Sequence, residues 1–190
     1  CALVLASLAL IPAIGLTVFP KADSAQFLVR IELPEGSSLA RTEAVMNEIE
    51  ADLSSRPEVL HVMSNVGRGN PRIYYNLMQR ETSARYAELF VQLKAFDPVA
   101  TPDFYRRLRE RYDPIPGADI VVKEFENGPG IEATVELRIV GADLRKLGEL
   151  AARVEALMRN TPGLRDVDNP MRRNRMDLQL KVDAQRAALL

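Results

Sequence analysis

Two stretches of this chain carry one pattern, 105 positions apart. Leu39 aligns with Leu144, Ile49 with Val154, Glu50 with Glu155, Ala51 with Ala156 and Leu53 with Met158. Pro57 then aligns with Pro162, Val59 with Leu164 and Val62 with Val167. Two amphipathic helices could match by coincidence, but a matched proline followed by a matched apolar pair is harder to produce that way. A repeated strand–helix–Pro–strand frame implies two similar βαβ modules rather than one continuous sheet.

Local signals fill in the first module. Phe27, Val29, Ile31 and Leu33 alternate with Leu28, Arg30 and Glu32, a strand pattern that Pro34-Glu35-Gly36 stops. Ser38 is placed to cap a helix whose apolar residues recur to about Ser55, and Pro57 closes it. Strands follow at Val59–Val66 and Ala87–Lys94, separated by a loop-like stretch from Gly67 to Ser83. Thr101-Pro102-Asp103 reads as a helix start, with a capping hydroxyl, a proline at the first helical position and an acid in the first turn. That helix runs to about Tyr112, and Ala118–Phe125 is a fourth strand. The order is β-α-β-β-α-β, the ferredoxin-like unit.

Glu126-Asn127-Gly128-Pro129-Gly130 is the best internal boundary. Beyond it, Ala133–Val140 reads as a strand, and Asp143 caps a helix carrying Leu144, Leu147, Leu150, Val154 and Met158. Leu164–Asp168 and Asp177–Val182 read as strands. The fold class expected is α+β: one βαββαβ unit plus a partial second unit. Burial of Leu39, Ile49, Leu53, Leu144, Val154 and Met158 is the test of the repeat.

The N-terminus differs from everything after it. No charged residue precedes Lys21, and residues 1–19 are apolar except for Ser7, Pro12, Gly15 and Thr17. A membrane span needs about 20 such residues. A signal peptide wants a basic start and a small-residue cleavage site, and neither is present. A buried globular helix is the remaining alternative. Residues 1–19 are read as the end of a transmembrane helix, with Pro20-Lys21-Ala22-Asp23 as its exit into water.

Composition excludes several classes of function. The chain has 25 Lys and Arg against 26 Asp and Glu, a net charge of −1, which argues against nucleic-acid binding. Arg172, Arg173 and Arg175 form a dense basic cluster, with Asp166, Asp168 and Asp177 near them in sequence. One Cys excludes a disulfide within the chain and a multi-Cys zinc site. No nucleophile elbow, P-loop or HExxH motif occurs, so no catalytic residue, enzyme activity or cofactor is expected. Met46 and Met158 fall on apolar helical stripes. Met63 and Met78 flank the loop without Cys or acid partners, and His61 sits alone in a strand, so no metal site is expected.

An apolar span, a short polar exit and two βαβ modules resemble the resistance-nodulation-division (RND) efflux transporters. The wording is similar as well. Phe19–Leu39 (FPKADSAQFLVRIELPEGSSL) resembles the segment after the seventh transmembrane helix. Thr42–Val66 resembles the first helix and second strand of the PC1 porter subdomain, and Glu126–Leu144 (ENGPGIEATVELRIVGADL) resembles the entry into PC2. The AcrB/AcrD/AcrF-type hydrophobe/amphiphile branch fits best. The resemblance implies a trimeric, proton-driven pump of the bacterial inner membrane, exporting through a periplasmic adaptor (membrane fusion) protein and an outer-membrane channel. It places residues 1–19 at the end of a transmembrane helix, 24–126 in PC1 and 127–190 in the first part of PC2. The proton relay of the family lies on other membrane helices.

The same resemblance draws attention to the loop 67–83 (GRGNPRIYYNLMQRETS), which corresponds to a connection on the family's drug path. Ile73, Tyr74, Tyr75, Leu77 and Met78 are the candidate contacts for hydrophobic or amphiphilic small molecules, since Met repacks around varied shapes and Tyr offers area with a polar tip. Gly67, Gly69 and Pro71 are the candidate gating residues, expected to be loosely held. Packing of Tyr74 and Tyr75 onto their own sheet is the competing reading. The loop lacks a dense Phe pattern, which counts against broad drug specificity. A membrane-anchored periplasmic binding or assembly module without transport activity is the alternative function, because fold alone does not separate the two.

Overall fold

The computed structural model describes residues 20–130, 133 and 135–172. The chain divides into two compact units, the first ending at Glu136 and the second beginning at Leu137.

In the first unit the elements are β1 (Gln26–Glu32), α1 (Leu39–Ser54), β2 (Val59–Val66), β3 (Tyr86–Leu93), α2 (Ala100–Tyr112) and β4 (Asp119–Glu124). The strands form one sheet in the order β2-β3-β1-β4, and every adjacent pair is antiparallel. Both helices lie on one face. Phe27, Val29, Ile31, Leu89, Val91 and Val122 of the sheet close a core with Val45, Met46, Ile49 and Leu53 of α1 and with Phe104, Tyr105, Leu108 and Tyr112 of α2. This is the ferredoxin-like unit that the element order implies.

Local chemistry sets the helix ends. Ser38 accepts from the Arg41 amide at the start of α1. Helix α2 begins differently from the sequence reading. The Asp97 carboxylate, not Thr101, accepts from the free amides of Val99 and Ala100, at 2.8 and 2.7 Å. The Thr101 hydroxyl turns back and accepts from the Asp97 amide at 2.9 Å. A carboxylate reaching two orphan donors satisfies the first turn better than one hydroxyl does. The helices are tied together by Asp52, which pairs with Arg56 and Arg111 and accepts from the Tyr112 hydroxyl, each at 2.8 Å. Burial alone would raise the Asp52 carboxyl, but the bonds from Arg56, Tyr112 and Arg111 outweigh it and hold the group below the ordinary carboxylate range.

In the second unit α3 (Leu144–Arg159) is capped by Asp143, as read from sequence, and a 3₁₀ turn follows at Pro170–Arg172. Helices α1 and α3 each have 16 residues and are 105 positions apart at both ends, so the helical arm of the repeat is present. The strand arm is not seen among the described residues. Neither 135–140 nor 164–168 is a strand, since no neighbouring strand pairs with either among the described residues. The strand expected at Asp177–Val182 lies outside the described residues.

Of the six test positions, Ile49 and Leu53 are buried and Val154 and Met158 are half-buried. Leu39 and Leu144 are 48% and 74% exposed. Both occupy the first position of their helix, beyond the reach of a core. Among the described residues no helix is long and apolar enough to cross a membrane. Residues 1–19, where the sequence places the end of a span, lie outside the described residues.

Candidate functional site

The face of the sheet away from the helices is where sequence reasoning was least complete. Strand β1 is buried on both sides: Leu28 and Arg30, which the alternation pattern turns outward, are only 2% and 9% exposed. The loop 67–83 folds across this face. The expected loosely held stretch is instead anchored, with Gly67, Gly69 and Asn70 buried. The Gly67 amide donates to the Tyr86 carbonyl and the Ser83 amide to the Gly67 carbonyl, both at 2.8 Å, closing the root of the loop. Gln79 donates to the Gly69 carbonyl at 3.0 Å. A Cβ at position 69 would stand 2.8 Å from the Arg80 backbone nitrogen, so the two arms of the loop meet where only glycine fits.

Glu88 is the centre of this anchoring. It is 5% exposed, lies opposite Arg30 in the β1–β3 register and accepts from Arg30 Nε at 3.2 Å. The Tyr86 hydroxyl donates to the same oxygen at 2.5 Å, and the Asn70 amide donates to the other at 3.2 Å. The Asn65 side chain on β2 donates to the Asn70 side-chain oxygen. Burial pushes the Tyr86 phenol far up, with the Glu88 charge adding to it, so this hydroxyl stays a donor across the physiological range. Such a buried, hydrogen-bonded pair fixes one position of the loop on the sheet.

Beyond Pro71 the loop turns outward. Tyr74 is half-buried and its ring stacks on Phe125, at 4.7 Å between centroids and 5° between planes. Tyr75 lies 4.9 Å from Tyr74 and stays exposed. Ile73, Tyr75 and Met78 are 40%, 55% and 73% exposed, while Leu77 is half-buried. Leu77 and Met78 line a shallow depression with Lys123, Glu124 and Pro129. The five candidate contact residues are therefore on one loop, but Tyr74 packs on the sheet and the other four turn partly or wholly to solvent. Of the candidate gating residues, Gly67 and Gly69 form the buried root and Pro71 is exposed. Arg68 and Arg72 are exposed, and Arg72 donates to the Tyr75 carbonyl.

Glu88, Asn70 and Asn76 were not singled out from sequence. A signal was available for the first: Glu88 is the only charge in YAELFVQL, as Arg30 is the only basic group in QFLVRIE, and lone opposite charges in two apolar strands can pair. Glu124, near the strand end, pairs with Lys21 and Arg109, both at 2.6 Å. Burial would raise its carboxyl, but these bonds hold it below the ordinary range. Among the described residues no group of three His, Cys, Asp or Glu could hold a metal ion. His61 and Met63 are exposed and Met46 is core. Met176, Arg173 and Arg175 lie outside the described residues.

Comparison with known proteins agrees with this architecture. The profile of the AcrB/AcrD/AcrF family matches residues 1–190. The chain is 24% identical over 183 residues to the cobalt-zinc-cadmium resistance protein CzcA of Cupriavidus metallidurans, covering 92% of this chain and 17% of that protein. The fold is similar to the X-ray structure of a heavy metal efflux pump, with a TM-score of 0.55 and 19% identity, over 87% of this chain and 18% of that one. The chain thus spans less than a fifth of the length of these relatives. The porter-like α+β architecture and the match along all 190 residues lead to one assignment: this chain belongs to the AcrB/AcrD/AcrF family of resistance-nodulation-division efflux transporters.

Proposed function

We propose that this chain is a periplasmic porter portion of a proton-driven RND efflux pump of the bacterial inner membrane. Residues 24–126 form a PC1-like subdomain, 127–190 begin a PC2-like subdomain, and 1–19 end a transmembrane helix. The observation that carries the reading is the family match along the whole chain. The pump assembles as a homotrimer with a periplasmic adaptor and an outer-membrane channel. Ile73, Tyr75, Leu77 and Met78 contact hydrophobic or amphiphilic cargo, with Tyr74 holding them in place from behind. Exposed apolar side chains on an anchored loop support this assignment. Gly67 and Gly69 hold the root of the loop, and gating lies with the part beyond Pro71, which moves against that fixed root to let cargo pass.

A second reading has divalent metal cations as cargo. The relative named for cobalt, zinc and cadmium resistance favours it. One experiment separates the two. The full-length gene is expressed in cells lacking their own pumps, and susceptibility is measured to a panel of hydrophobic compounds and to Co²⁺, Zn²⁺ and Cd²⁺, with and without a protonophore. The first reading expects protonophore-sensitive resistance to hydrophobic compounds that falls in Met78→Ala and Tyr75→Ala. Resistance confined to the cations would establish the second. No resistance to either, at normal abundance of the protein, would leave the non-transporting module.

A further inference from the structure

Three consecutive loop residues reach the segment that follows β4. The Asn76 side-chain amide donates to the Glu126 carbonyl at 2.8 Å and to the Gly128 carbonyl at 2.9 Å. The Tyr75 hydroxyl accepts from the Gly128 amide at 2.7 Å. The Tyr74 hydroxyl donates to Asn127 Oδ1 at 3.1 Å while its ring covers Phe125. Gly130 passes so close that a Cβ there would stand 2.4 Å from the Asn76 carbonyl oxygen. From the other side, the Asn127 amide donates to the Pro20 carbonyl at 2.9 Å and Glu126 bridges to Lys21.

The segment 126–130 contains two glycines and a proline and has no strand or helix of its own beyond that single bridge. Nothing intrinsic fixes its path. Asn76 supplies what the backbone lacks. Its NH₂ has two hydrogens, and each meets one carbonyl of the segment. An Asp of the same shape has none to give, and a hydroxyl has one.

We propose that Asn76, assisted by Tyr75, is a clasp that sets the course of residues 126–130. It thereby acts as a positioning residue for the transport proposed above, from the wall of the depression that Leu77 and Met78 also line. The clasped segment is the stretch of the first unit that follows β4. Leu77 and Met78 line the same depression as Pro129 and Gly130, so a molecule seated against Met78 touches the clasped segment and feels its position. The transport role rests on the efflux reading; the clasp itself does not.

The test uses the full-length pump and two variants, Asn76→Asp and Tyr75→Phe. Hydrogen exchange followed by mass spectrometry reads peptides covering 126–130 and the β1–β3 ladder. One lost hydrogen bond of about 1–1.5 kcal/mol corresponds to roughly tenfold faster exchange. Asn76→Asp is expected to speed exchange across 126–130 at least about tenfold, and Tyr75→Phe to do so at Gly128, with the ladder unchanged. Unchanged exchange at 126–130 in both variants overturns the clasp. Should Asn76→Asp loosen the ladder too, the Tyr75→Phe result decides, because that variant removes one exposed hydroxyl only. For transport, Asn76→Asp is expected to lower the maximal export rate of every cargo with KM unchanged, whereas Met78→Ala raises KM for particular cargoes. Rescue of the rate by Asn76→Gln, which restores the donor, supports positioning. Faster exchange with normal export overturns the positioning role. If the parent pump exports nothing, the efflux reading fails and the exchange result still judges the clasp.

Discussion

Replacing Glu88 by Gln tests whether the loop is truly anchored through the buried face of the sheet. Three donors converge on this carboxylate: Arg30 Nε, the Tyr86 hydroxyl and the Asn70 amide. A carboxylate only accepts, so it suits all three. Gln keeps the shape but offers one oxygen and one NH₂. With its oxygen toward Arg30 and Tyr86, its NH₂ opposes the Asn70 N–H. Turned over, Tyr86 can rotate to accept, but the NH₂ then opposes Arg30. Either way one donor faces a donor, and the Arg30 charge, with its side chain only 10% exposed, loses its Glu88 counter-charge. Breaking a buried pair from one side costs roughly 3–5 kcal/mol, and a charged hydrogen bond is worth about 1.5–3 kcal/mol. Since Gln retains part of the network, the expected loss is about 3 kcal/mol. Urea titration by far-ultraviolet circular dichroism measures it, with tyrosine absorbance as the second probe because the chain has no Trp. Arg30→Met added to Glu88→Gln is expected to recover about 1–2 kcal/mol, because an apolar replacement removes a buried charge that has lost its Glu88 partner. A single variant within about 0.5 kcal/mol of the parent, or a double variant worse than the sum of its parts, would refute the argument.

Three further outcomes follow from the same structure. Leu53→Ala, at a fully buried position on α1, should lower stability by about 2–5 kcal/mol in the same titration. Gly69→Ala forces a Cβ against the Arg80 backbone, where no side chain can swing away, and should cost about 1–3 kcal/mol and speed hydrogen exchange at 67–71. Asp52 and Glu124 both titrate below their ordinary values when folded, so their contribution is complete above about pH 4.5 and is lost as pH falls through the depressed folded values. Thermal melts should therefore be level from neutral pH down to about 5 and fall steeply below 4, and Asp52→Asn should flatten that acid limb.

Much of the first unit was legible in the sequence because its signals are local. Pro57 lies just past α1 and Pro162 just past α3, Ser38 and Asp143 cap where a short polar side chain precedes an apolar period, and the element order named the ferredoxin-like unit. Among the described residues of the second module, only the helix matches its sequence pattern. The module's strand-like stretches alternate correctly, yet a strand exists only when a neighbour takes up its backbone groups, and a sequence pattern cannot supply the neighbour.

The candidate site divides along the same line. The sequence alone determined that 67–83 is a loop bearing two tyrosines and soft apolar residues, since glycine and proline break any period there. Only the tertiary structure decided that this loop crosses the far face of the sheet, buries Arg30 with Glu88 and meets 126–130 through Tyr74, Tyr75 and Asn76. The deciding contacts join residues far apart in the chain: 58 positions for Arg30 and Glu88, 50 for Asn76 and Glu126, 53 for Tyr74 and Asn127. Partners so distant leave no periodicity or spacing to read. Once the sheet brings them together, burial makes each unpaired donor or charge costly, and that cost holds the loop where the sequence suggested a free hinge.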